Sequence, residues 1–255
     1  MEFVSVTVDG SVALVRLDRP PVNAINEQVS TELLEAFGAC SDPAVRAVVV
    51  TGQPHFAAGA DIKGFQETFD RGGSEENAST LQTAIARLES LPKPTIAAIH
   101  GFALGGGCEL ALGCDFRYMA EDARIGQPEI ILGLIPGAGG TQRLQRVVGF
   151  QRAKEIVLTG RHVGAEEAAA IGFADDVAPS DEVLDRALAD ASEWATKATA
   201  AIGIAKRVMS EGRGLSLDDA LDAERAAFQQ AFATDDAREG VAAFIEKRDP
   251  RFKGS

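Results

Sequence analysis

Cysteine is scarce in this 255-residue chain, and none of the three, Cys40, Cys108 and Cys114, belongs to a CxxC pair. An odd, unpaired set argues against a disulfide framework and a zinc site. It fits small buried apolar residues in a reducing compartment better than secretion. Positive charge is also short: 25 Lys and Arg stand against 38 Asp and Glu, a formal net charge of −13. Such a surface repels phosphate backbones, so no nucleic-acid partner is expected. Long apolar runs are missing too. No window approaches the roughly 18 uninterrupted apolar residues of a membrane span. The first segment, MEFVSVTVDGSVALVRL, alternates apolar and polar residues and reads as a hairpin, not a signal peptide. These absences together lead us to expect a cytoplasmic protein with no membrane partner. An anionic small ligand stays compatible with the charge, provided that local basic groups and backbone N–H donors receive it.

What is present is an ordinary globular composition, 45% hydrophobic and 25% charged. Residues 3–8 and 12–18 read as strands joined at Asp9-Gly10, a strong hairpin signal. Val29, Leu33, Leu34 and Phe37 carry a helical spacing through 26–40, which Asp42-Pro43 ends. Buried strands are expected at 46–51, 95–100 and 115–120, with a helix at 79–91. Beyond residue 150 the pattern changes to Ala-rich helices over 150–160, 165–171, 181–198, 199–212, 215–232 and 235–247. One short strand interrupts them near 173–178. The fold class expected is α/β, with a core over 1–195 and a helical C-terminal region over 196–255 that packs on the core or on a partner subunit.

Three segments carry chemistry. In LGGGCELALG (104–113), Gly105, Gly106 and Gly107 follow a strand and open a helix. Glycines there let a ligand approach the backbone, and the free N–H groups of the first helical turn suit an oxyanion. No Walker A GK[ST] and no GxGxxG is present, which removes the commoner phosphate loops. Glu109 lies in that helix among Cys108, Leu110, Ala111 and Leu112. A carboxylate in apolar company is costly, its pKa rises, and it becomes a candidate acid or base. In GQPEIILGLIPGAGGTQRL (126–144), Pro128 suits a first helical position and places Glu129 in the first turn. Two carboxylates 20 residues apart, each beside a Gly-rich turn, suit a general acid/base pair facing one substrate from two sides. In FAAGADIK (56–63), small residues leave a buried strand for a short helical turn capped near Asp61. The Ala60 N–H is a candidate second oxyanion donor, and Lys63 supplies local positive charge. His100, His55 and His162 are read as structural, and the basic tail from Lys247 to Lys253 as solvated or near a ligand's phosphates.

Taken together, RPPVNAIN (19–26), FAAGADIK, KPTIAAIHGFALGGGCELALGCD (93–115), GQPEIILGLIPGAGGTQRL and ATDDAREGVAAFIEKRDPRF (233–252) resemble the crotonase, or enoyl-CoA hydratase/isomerase, family. The resemblance runs along nearly the whole chain and is closest to the short-chain hydratases. It implies a crotonase-like spiral of ββα repeats, helices used for trimer formation, and a homotrimer or homohexamer. It implies an acyl-CoA substrate, an oxyanion hole from the N–H groups of Ala60 and Gly106, and catalysis by Glu109 and Glu129. Glu109 would activate water for attack at Cβ, and Glu129 would exchange a proton at Cα. Ala58, Asp61, Ile62 and Lys63 fall where the family contacts substrate. No metal and no cofactor apart from the coenzyme A of the substrate is implied. The expected reaction is hydration of a trans-2-enoyl-CoA. The rivals are a Δ3-Δ2-enoyl-CoA isomerase, which needs one base, and a binding role without turnover, including RNA binding.

Overall fold

The computed structural model describes residues 1–62 and 75–255, without the side chains of 75–79. Strands β1 (Val4–Asp9) and β2 (Val12–Leu17) pair antiparallel, with Asp9 opposite Val12. Gly10 turns the chain at φ +57, a conformation that costs little only without a Cβ. From β2 the sheet continues in parallel through β3 (Ala47–Gly52), β4 (Thr95–Ile99), β6 (Phe116–Ala120) and β9 (Asp176–Ala178). AVVVTG and TIAAI are buried at every position. Central strands of a parallel sheet covered on both faces must be apolar throughout, not alternating.

Helix α1 (Glu27–Ala39) starts at Asn26, whose side chain accepts the Val29 N–H at 2.9 Å, and buries Val29, Leu33, Ala36 and Phe37. It packs on α2 (Glu75–Glu89). Helix α3 (Gly106–Leu112) is buried along its whole length. Then come α4 (Gly140–Val148), α5 (Phe150–Thr159) and α6 (Ala165–Ala170). Helix α7 (Val183–Ala195) buries Val183, Ala187, Ala191 and Ala195, one stripe at a four-residue step, against β2, β3, β4 and β6. Helices α8 (Thr199–Gly212), α9 (Leu217–Phe232) and α10 (Asp235–Glu246) pack chiefly among themselves. Lys206 ties α8 to Asp115 at 2.8 Å. Met209, Leu217, Phe228, Phe232, Ile245 and, at 86%, Phe244 stay exposed on these three helices.

A second sheet, β5 (Phe102–Leu104), β7 (Arg124–Gly126) and β8 (His162–Gly164), was not expected from the sequence. Three-residue strands carry too few side chains to show a period. Two further expectations need correction. Glu129–Leu132 is a single 3-10 turn with Pro128 just before it, not a helix with Pro128 as its first residue. Gly133 at φ +72 closes that turn at once. Residues 57–62 stay non-helical, with single parallel bridges from Ala57 to Ala103 and from Ile25 to Ala60. Lys63 lies outside the described residues.

Candidate active site

The site forms where β5 runs into α3. Gly105, the residue before α3, takes φ +51. A Cβ on Gly107 would overlap the Ala57 carbonyl, so only glycine lets the helix sit this close to the 57–60 segment. Ala57 donates to the Phe102 carbonyl at 3.0 Å, and Leu104 returns a bond to the Ala57 carbonyl at 3.0 Å. This pairing lays Ala60 alongside the start of α3. Among the described residues, neither the Ala60 nor the Gly106 N–H is given to another backbone carbonyl or a side chain. Leu81 and Ile25 flank Gly106, at 3.2 and 3.6 Å from where a Cβ would stand. Two unclaimed N–H groups beside an apolar wall suit a carbonyl oxygen that gains charge.

Glu109 is one turn into α3 and only 2% exposed. Its Oε1 accepts the Ala138 N–H and the Gly140 N–H, both at 2.7 Å. Gly140 is the first residue of α4, so the positive end of that helix meets the carboxylate. Burial pushes the Glu109 carboxyl up from its ordinary value, while the Gly140 and Ala138 amides and then the Arg143 charge pull it back.

Glu129 reaches the same place from the 3-10 turn. Its Oε1 lies 3.0 Å from where a Cβ on Gly105 would stand, so a side chain at 105 would crowd it. Burial pushes the Glu129 carboxyl up to about 7; its own backbone N–H opposes this, and the nearby Glu109 charge adds to it. Gln127 is fully buried with its amide against Glu129; with its nitrogen assigned to that side, as an ionised Glu129 requires, it donates to Oε1 at 3.0 Å and Oε2 at 3.2 Å. The sequence reading gave Gln127 no role. Its one signal was a polar side chain directly before Pro-Glu, in a run that is otherwise Gly, Ile and Leu.

The remaining expected residues are less central. Ala58 gives its N–H to the Val22 carbonyl at 3.0 Å. Asp61 is paired with Arg19 at 2.6 Å, so its carboxylate is engaged within the fold. Ile62 is exposed. His100 is buried, with Nε2 at 3.4 Å from the Gln53 amide nitrogen, away from the two glutamates' partners. Among the described residues no cluster of His, Cys, Asp and Glu could hold a metal ion. The arrangement supplies one carboxylate held by amides, one carboxylic acid poised near neutrality, and two free N–H donors. That set can move a proton on each side of a polarised carbonyl compound.

Comparison with known proteins agrees with this chemistry. Residues 7–255 match the family model described as Enoyl-CoA hydratase/isomerase. The chain is 40% identical to a probable enoyl-CoA hydratase of Bacillus subtilis, over 100% of both chains. It is 40% identical to a short-chain-enoyl-CoA hydratase of Clostridium acetobutylicum, over 94% of this chain and 93% of that one. Among solved structures, an enoyl-CoA hydratase from Bacillus anthracis superposes with a TM-score of 0.91 at 38% identity, covering 99% of this chain and 100% of that one.

Proposed function

The chain belongs to the enoyl-CoA hydratase/isomerase family, and we propose that it works as an enoyl-CoA hydratase, adding water across the 2,3 double bond of a trans-2-enoyl-CoA to give a 3-hydroxyacyl-CoA. Its fold is the crotonase-like α/β spiral with a helical C-terminal part. The observation that carries the functional reading is a buried and a half-buried carboxyl, Glu109 and Glu129, both with raised pKa, beside two unclaimed N–H groups.

In the reaction we propose, the thioester oxygen accepts from the Ala60 and Gly106 N–H groups. The ionised Glu109 takes a proton from water as the water oxygen bonds to Cβ. The π electrons move onto the thioester as an enolate, which the two N–H groups stabilise. Losing one such donor commonly costs about 3 kcal/mol of transition-state stabilisation. Glu129, protonated, then gives its proton to Cα and the enolate collapses to the carbonyl. Water is fully accounted for in the product, and the proton moves from Glu109 back to Glu129 through exchange. No redox partner or metal enters this balance, and coenzyme A arrives as part of the substrate.

Ala58, Asp61, Ile62 and Lys63 are proposed to contact the coenzyme end of the substrate, Asp61 through the rim that its pairing with Arg19 stiffens. The exposed apolar side chains of α8, α9 and α10 support a homotrimer or homohexamer, with residues 196–255 as the assembling part. A cytoplasmic role in acyl-CoA metabolism fits the expected reducing compartment. The test is direct: offer 2-enoyl and 3-enoyl thioesters across acyl lengths and follow both products. Hydration of the 2-enoyl series supports the reading. Exclusive conversion of 3-enoyl to 2-enoyl thioesters would replace it with the isomerase.

A further inference from the structure

Two residues outside the acid/base pair meet at the turn that holds Glu109. Arg143 folds back from the start of α4, and its Nη1 donates to the Ala138 carbonyl at 3.0 Å. Its Nε and Nη2 donate to Glu89 Oε2 at 3.1 and 2.8 Å. Glu89 is the last residue of α2. Gly139, between the two amides that bind Glu109, takes φ +107, and a Cβ there would collide with the Arg143 guanidinium. Glycine at 139 is what lets the arginine close over the turn. On the other side of that turn, the Ala138 and Gly140 N–H groups both point to Glu109 Oε1.

We propose that Arg143 is a positioning residue for Glu109: gripping Glu89 and the Ala138 carbonyl together, it holds the 138–140 turn so that both amides stay on Oε1 and Oε2 is left for water. The inference rests on the reading of Glu109 as the base that activates water. A planar guanidinium can bridge a carbonyl and a carboxylate in fixed geometry, whereas an ammonium is a single mobile point charge.

The charged and titratable groups facing Glu109 are Arg143 from α4, Glu129 from the 3-10 turn and Cys108 beside it on α3. Burial keeps Cys108 a neutral thiol, and Glu129, pushed up to about 7, is the acid of the proposed reaction. Removing Arg143 therefore takes away the positive charge that, among the described residues, faces Glu109, and slackens the two amides; both changes move Glu109 upward. The acid limb of the hydration profile must move to higher pH. A merely structural loss would reduce the folded fraction or kcat and leave that limb in place.

The experiment compares Arg143→Met, Arg143→Lys, Glu89→Gln and Glu109→Gln in the full-length native assembly, with a short 2-enoyl thioester from pH 5 to 9. Residues that orient an active group commonly carry about 10-fold or more, as at metal ligands. Arg143→Met should lose kcat on that scale with KM little changed and the acid limb displaced upward. Arg143→Lys should fall between it and the parent. Glu89→Gln should shift the limb in the same direction by less, since Glu89 is 46% exposed. An unmoved limb in Arg143→Met overturns the proposal, whether or not kcat falls. If Arg143→Met does not fold, an unmoved limb in both Arg143→Lys and Glu89→Gln overturns it instead. Full hydration by Glu109→Gln removes the Glu109 reading itself. An inert Glu109→Gln beside an unmoved limb removes only Arg143.

Discussion

The Gly140 N–H donates to Glu109 Oε1 at 2.7 Å, so the first amide of one helix fixes a carboxylate in the middle of another. Among the described residues Glu129 has no such pair of amides; the Gln127 side-chain amide lies against it, and it stands at about 7. Two glutamates of equal intrinsic acidity are thus separated by surroundings. Burial raises both carboxyls; at Glu109 the Gly140 and Ala138 amides and Arg143 pull it back, and at Glu129 the neighbouring Glu109 charge adds to it. Such a difference in surroundings suits one base and one acid.

Glu129 should cost stability above neutrality. Its folded pKa of about 7 lies above the ordinary 4.5, so between these values the folded protein keeps a proton that the unfolded chain has lost. The contribution is fully present below 4.5 and gone once the pH has risen through 7. The shift corresponds to roughly 3 kcal/mol, discounted to about 2 for a half-buried carboxyl. Glu129→Gln should therefore unfold at higher urea than the parent at pH 8, with the gap closing toward pH 4.5. Equal midpoints at pH 8 would contradict the raised value.

Lys93 should be a structural keystone without catalytic weight. It is buried, and its ammonium donates to the carbonyls of Cys40, Asp42 and Val45 at 2.8, 2.9 and 2.5 Å, closing the link from α1 to β3. Lys93→Met leaves the Cys40 and Val45 carbonyls without a donor, while Asp42 keeps the Val45 N–H, and should cost about 2 kcal/mol or more. Urea unfolding reads the loss, and kcat per folded enzyme should hold.

The three thiols should be silent in the native protein. Burial pushes Cys40 up to about 11 and Cys114 up to about 12, and Cys108 well above its ordinary value. Ellman's reagent should find none before denaturation and three after it. A rapid native reaction would show a thiolate that this burial forbids.

The exposed Phe232, Phe244 and Ile245 are large apolar groups whose solvation a subunit contact would remove. Light scattering at micromolar concentration should give a trimer or hexamer mass. Phe232→Asp with Phe244→Asp should drive the mass toward monomer. A monomeric parent would defeat the assembly reading.

How much of this was legible in the sequence differs from residue to residue. The helices after 150 were, because their apolar residues repeat over several turns, as the 183, 187, 191 and 195 stripe of α7 does. Glu109 and Glu129 were, because charge inside an apolar run beside glycine has a price that only chemistry or pairing offsets. The partners of Glu109 were not: Ala138 and Gly140 lie 29 and 31 residues away and act through N–H groups that every residue has. Arg143 and Gln127 were visible as letters but not as contacts. The β5, β7 and β8 sheet was hidden because strands of three residues are set by their neighbours and not by a local period.

The division of labour between the glutamates is the sharpest claim. If Glu109 activates water and Glu129 serves Cα, the two amide substitutions should fail differently. Glu109→Gln keeps the shape but takes no proton from water, so hydration should fall by about 10²-fold or more. Proton exchange at Cα of a saturated acyl thioester needs only Glu129 and the two N–H donors, so it should survive that change. Glu129→Gln should depress both reactions. The double variant should lose little beyond the worse single one, since groups acting as a unit are not additive. Deuterium wash-in at Cα, read by mass spectrometry beside the hydration assay, measures both activities on one sample. Equal loss of both in Glu109→Gln would refute separate roles. Full hydration by Glu109→Gln would remove Glu109 as the base that activates water.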